Sequence, residues 1–82
     1  MTYDVVVNVS LKEAVLDPAG QQVARVLHNM GYAMEDVRIG KQIKLRFQAA
    51  DLTEAKENAR QMAEKLLANP VLETYEILVT EP

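Results

Sequence analysis

The clearest pattern lies at the amino-terminal end, where Tyr3, Val5, Val7 and Val9 alternate with Asp4, Val6, Asn8 and Ser10. Strand side chains point to opposite faces in turn, so this period of two, rich in β-branched residues, predicts a first strand with one buried face. Residues 11–16 carry no clear period and read as a loop with apolar pins or a single helical turn. Asp17-Pro18 then opens a helix. An aspartate side chain accepts from a free N–H of the first turn, and proline at the first position gives up an N–H that had no partner. Val23, Val26, Leu27 and Met30 recur at i, i+3, i+4 and i+7, which is one helical stripe, and Gly31 supplies a left-handed stop.

Val37 and Ile39 predict a short second strand, and Ile43, Leu45 and Phe47 a third. A three-residue turn at Gly40-Lys41-Gln42 would set Ile39 opposite Ile43 and keep the apolar side chains on one face. A two-residue turn would pair Ile39 with Gln42 and spoil the match. Asp51 and Glu54 have the spacing of a capping box and begin a second helix. Its apolar stripe is Ala55, Ala59, Met62, Ala63, Leu66 and Leu67, and Asn69-Pro70 ends it. Tyr75, Ile77 and Val79 make the inward face of a last strand.

The order strand, helix, strand, strand, helix, strand predicts an α+β two-layer sandwich. It is the ferredoxin-like βαββαβ arrangement, a four-stranded antiparallel sheet with two helices on one face, and it fills residues 1–82 as a single domain. With the usual strand order 4-1-3-2, the uncovered sheet face carries Asp4, Val6, Asn8, Arg38, Lys44, Arg46, Thr74, Glu76 and Leu78. Val6 and Leu78 fall on neighbouring strands there and form a small apolar patch suited to self-association. The two edge strands offer a second route to a dimer.

Composition narrows the function classes. A chain of 82 residues hides only about 60% of the surface its unfolded form exposes, so association with another chain is a natural source of stability. With no cysteine in the sequence, neither a disulfide nor a thiolate metal site is available, which fits a reducing compartment. The first residues lack the basic and apolar regions of a signal peptide, and no apolar run approaches the roughly 20 residues of a membrane span. A soluble, cytoplasmic protein is expected, with no membrane partner. The net charge of −3, with both signs interspersed, argues against a nucleic-acid partner. The inward direction of Tyr3, Phe47 and Tyr75 removes the stacking aromatics an RNA-recognition sheet would need.

Candidate chemistry is sparse. His28 is the one histidine in the sequence, near a helix C-terminus where its charged form is mildly favoured, and no second ligand or acidic partner stands at matching spacing. Gly20, Gly31 and Gly40 are isolated and make no phosphate loop. Neither a nucleophile motif nor a carboxylate pair is present. A regulatory domain that binds a small molecule at a dimer interface remains possible from the residues.

Four strings go further than the pattern. Residues 10–20, S-L-K-E-A-V-L-D-P-A-G, resemble the S-L-K-x-x-V-L-D-P-x-G segment of the PurS family. Leu27 to Tyr32 resembles its L-x-x-M-G-Y helix exit, Val37 to Lys41 its V-R-I-G-K turn, and Glu64 to Val71 its E-K-L-L-A-N-x-V segment. The four occur in family order over nearly the whole chain. The resemblance implies the small, non-catalytic subunit of bacterial phosphoribosylformylglycinamidine (FGAM) synthase, an ATP- and glutamine-dependent ligase of purine biosynthesis. It further implies a homodimer, with room for a dimer of dimers, that joins a large synthetase subunit (PurL) to a glutaminase subunit (PurQ) and supports ammonia transfer. ATP, magnesium and glutamine are then used by the partner subunits, with no cofactor, metal or catalytic residue in this chain. Loops on a rigid sheet commonly carry binding, so Leu11, Lys12, Arg38 and Lys41 are expected to contact partners, together with Val6 and Leu78 on the open face.

Overall fold

In the computed structural model, which describes residues 1–81, the alternating amino-terminal segment becomes the middle strand of the sheet. β1 (Thr2–Leu11) pairs antiparallel with both β2 (Lys41–Gln48) and β3 (Glu73–Thr80), giving the order β2-β1-β3. Tyr3, Val5, Val7 and Val9 are all at most 2% exposed, because β1 alone has a strand on each side and a helix above. The cross-strand register places Val7 between Ile43 and Ile77, and Val5 between Leu45 and Val79. Period two on all three strands therefore puts one apolar set on one face.

α2 (Leu52–Met62) closes that face, and its last turn widens into a π-helical turn (Ala63–Leu67). The cap forms, with the return bond displaced by one residue: Asp51 Oδ1 accepts from Glu54 N–H at 2.8 Å, while Glu54 Oε2 accepts from the N–H of Ala50, just before the cap, at 3.1 Å. Ala55, Ala59 and Ala63 are fully buried. Three methyl-sized side chains at i, i+4 and i+8 make a smooth ridge, so the helix lies close over Val5, Val7 and Val9. Leu66 belongs to the predicted stripe but is 82% exposed. The wider π turn advances the following residues out of phase, and Leu66 rotates outward.

The expected four-stranded ferredoxin-like sheet does not form. The sheet has three strands, and residues 33–40 have no regular structure. The hairpin predicted at Gly40-Lys41-Gln42 is also absent, since Lys41 and Gln42 already belong to β2. The reason is that the backbone of Ile39 is engaged elsewhere: its N–H donates to Asp17 Oδ2 at 2.8 Å. On the facing segment, the carbonyls of Lys12 and Val15 accept from the Arg38 guanidinium, each at 2.9 Å. A backbone N–H satisfied in this way is not free for a ladder.

The second departure concerns α1 (Pro18–Asn29). It begins at Asp17-Pro18 and stops at Gly31, whose φ of 103° is the left-handed conformation expected there. It does not lie on the sheet. Val23, Val26 and Met30 are 39%, 49% and 65% exposed, and only α2 packs against the strands. The chain measures 51 × 27 × 14 Å with a radius of gyration of 16.2 Å, against about 12 Å for a globule of this length. A ten-residue strand of about 33 Å followed by a twelve-residue helix of about 18 Å accounts for the long dimension. α1 and the return segment are an arm projecting from the end of the sheet.

Candidate functional site: a clasped arm and an open sheet face

The arm is held at its base by a small polar clasp. Asp17 is 5% exposed, and its two carboxylate oxygens divide the work. Oδ1 accepts from Gly20 N–H at 2.9 Å, capping α1, while Oδ2 accepts from Ile39 N–H, tying down the return segment 22 residues later. Sequence reasoning assigned Asp17 the cap alone and missed the second bond, which no local spacing encodes. Gly20 is buried because the carbonyl oxygen of Val37 lies where a Cβ would stand.

The expected contact residues are distributed along this end of the sheet and over its open face. Leu11 is half-buried at the end of β1, and Lys12 and Lys41 are exposed beside it. Arg38 is exposed but its guanidinium is occupied by the Lys12 and Val15 carbonyls, so it braces the clasp. Its predicted place on the open sheet face disappears with the missing strand. Val6 and Leu78 do stand opposite each other in register, with Leu78 49% exposed. Polar pairs surround them: Arg46 with Asp4 at 2.6 Å, Gln42 with Asn8 at 3.1 Å, and Ser10 with Thr74 at 3.4 Å. His28 is exposed in the last turn of α1. Among the described residues, no group of three or more His, Asp or Glu side chains stands together to hold a metal ion, and no helix is long and apolar enough to cross a membrane.

Several carboxyls are perturbed by their partners. The Ile39 and Gly20 N–H groups hold the Asp17 carboxyl below its ordinary range, against the opposing effect of burial. The Arg46 guanidinium does the same for Asp4, and Arg60 with Gln61 draws Glu57 down to about 2. Each has a folded pKa below its unfolded value. The stability it lends is complete above the unfolded value near ~4 and is lost as the pH falls through that window. Thermal melts are thus expected to be level from pH 7 to about 5 and to fall steeply below about 4. Asp17→Asn should flatten part of that fall, and an identical acid profile in the variant would show that the clasp does not contribute to it.

Comparison with known proteins places this architecture. The profile of the family described as PurS: Phosphoribosylformylglycinamidine (FGAM) synthase matches residues 4–81. The phosphoribosylformylglycinamidine synthase subunit PurS of Bacillus subtilis is 48% identical over 80 residues, covering 96% of this chain and 94% of that protein. The chain belongs to the PurS family. Its fold agrees with that of solved PurS structures. The Methanocaldococcus jannaschii PurS, described as one of the subunits of formylglycinamide ribonucleotide amidotransferase in the purine biosynthetic pathway, superposes with a TM-score of 0.86 at 34% identity over 98% of each chain. A chain in the structure of PurLQS from Thermotoga maritima superposes with a TM-score of 0.89 at 32% identity, over 98% of this chain and 99% of that one. The three-stranded sheet and projecting arm are therefore the PurS fold as it occurs in this sequence.

Proposed function

We propose that this chain is the small subunit of a cytoplasmic FGAM synthase. It works as a homodimer that joins a PurL-type synthetase subunit to a PurQ-type glutaminase subunit and supports the passage of ammonia between them. The observation that carries this reading is the agreement over nearly the full length of both chains with a PurS subunit found in a PurLQS structure. The curated relatives named as PurS subunits over nearly the full length of the chain support the same reading. ATP, magnesium and glutamine are handled by the larger subunits. The alternative of a regulatory small-molecule domain draws no support from relatives that are named as synthase subunits.

Lys41, Lys12 and Leu11 form the partner-facing rim at the end of the sheet, and Arg38 supports that rim from behind. The Val6–Leu78 pair on the open face serves a second association, between dimers or with a larger subunit. The decisive experiment is a reconstitution with purified PurL- and PurQ-type subunits. Glutamine-dependent amidation is expected to fall at least about tenfold when this chain is left out, while amidation driven by added ammonium salt persists, since effective concentration within an assembly is what is lost. Equal glutamine-dependent rates with and without the chain would remove the reading. Lys41→Glu reverses a rim charge without touching the clasp, and is expected to weaken capture of the large subunit and to steepen its salt dependence.

A further inference from the structure

The hydrogen bonds at the ends of the sheet fix which backbone groups point outward along its edges. Lys12 N–H donates to the Leu72 carbonyl at 3.0 Å, in step with the β1–β3 register. Bonded and unbonded pairs alternate in an antiparallel ladder, so Thr74, Glu76 and Leu78 turn their N–H and C=O groups towards β1. Tyr75, Ile77 and Val79 turn theirs away from it, where no described strand lies beside them. At the other edge, Ala49 N–H donates to the Met1 carbonyl and the Met1 amino group to the Ala49 carbonyl, each at 3.0 Å. The same alternation gives the outward groups of β2 to Gln42, Lys44 and Arg46.

The two edges differ in what an added strand would meet. Residues paired across a ladder send their side chains to the same face. On β2 those side chains would fall on the open face, beside Lys44 and Arg46, and long charged groups at an edge discourage pairing. On β3 they would fall beside Tyr75, Ile77 and Val79, on the face that α2 covers. Two shallow depressions already lie there. One of about 400 Å³ is lined by Lys56, Arg60, Tyr75 and Ile77, and one of about 590 Å³ reaches from Tyr75 past Glu64 and Lys65 to Pro70. Tyr75 borders both, so they run end to end between the helix and the edge. Its hydroxyl donates to Glu64 at 2.9 Å, which holds the ring in place between them.

We infer that β3 is a docking edge for an extended segment of a larger synthase subunit, which enters the sheet as a fourth strand. This rests on the assembly of the proposed function and adds where, and in what conformation, the partner is held. Main-chain bonds to Tyr75, Ile77 and Val79 fix the segment, and every second side chain enters the depressions beside α2. The segment is apolar at those positions. On its other face it carries a cation opposite Glu76, which is exposed and makes no ion pair among the described residues. A second copy of β3 suits the edge poorly, because it would lay the Glu73 and Glu76 carboxylates of two acidic strands side by side.

Amide hydrogen exchange, read residue by residue, tests this on the unmodified chain, first alone and then with purified PurL- and PurQ-type subunits. In the chain alone, the Tyr75, Ile77 and Val79 amides are expected to exchange at least about a hundredfold faster than those of Glu76 and Leu78, which sit in the ladder. In the complex they are expected to slow by about the same factor, as ladder bonds form, while the Lys44 and Arg46 amides keep their rates. Slow exchange at Tyr75, Ile77 and Val79 in the isolated chain would overturn the inference, because the edge would already be taken by another copy. A complex that forms and leaves these amides fast would overturn it too, with the proposed function still standing. Failure of any complex to form would remove both.

Discussion

Val7→Asp is expected to leave the chain without a cooperative unfolding transition at room temperature. Val7 is fully buried on the middle strand, with Ile43 on one side, Ile77 on the other and the α2 alanines above. Removing the side chain from this site forfeits about 1.5–3 kcal/mol of burial, and an unpaired carboxylate there costs several kcal/mol more. A domain of this length holds about 4–12 kcal/mol in all, so the charge wins. Val6→Asp is the control one residue away. Its half-buried side chain lies on the open face opposite Lys44, where a carboxylate stays in reach of water and the cost is the strand preference, on the order of 1 kcal/mol. Far-UV circular dichroism with urea titration separates the two. A cooperative Val7→Asp chain would show that the β1 face is not the core. Loss of the dimer in folded Val6→Asp would place the homodimer seam on the open face.

The second large effect is at Gly20, where two principles oppose each other. Alanine in place of a helical glycine ordinarily stabilises by up to about 1 kcal/mol. At Gly20 the added methyl would run into the Val37 carbonyl oxygen and press on the Asp17 carboxylate. Both belong to the clasp, so neither gives way freely, and overpacking of this kind costs about 1–3 kcal/mol. Sterics are expected to prevail, with the damage confined to the arm. Gly20→Ala should lose hydrogen-exchange protection in α1, while β1 to β3 stay protected. A raised melting temperature with unchanged α1 protection would show that the clasp is looser than its contacts indicate.

Much of this fold was legible because its signals are local. The alternation of Tyr3 to Val9 places β1, the Asp51–Glu54 pair starts α2, and Asp17-Pro18 with Gly31 brackets α1. What failed was decided by partners far along the chain. Val37 and Ile39 are two apolar residues in a three-residue window, which suits a strand or a packed return segment equally, and the choice is made by a carboxylate 22 positions earlier. The α1 stripe was read correctly as a stripe, but amphipathicity carries no address: it does not say which surface, or whose, the helix will cover. Arg38 looked like a free surface cation because nothing in its neighbourhood announces that two carbonyls of another loop will take its donors. Lys41 had no such claim upon it and remains exposed.

The exposed stripe on α1 has one more consequence. Surface hidden only by association ties folding to concentration, because whatever binds the ordered chain and not the unfolded one adds stability by mass action. The sheet, with its own helix, needs no partner to cover the β1 face of its core. If the homodimer of the proposed function covers the arm, the arm does not share that independence, and for it dilution is itself a denaturant.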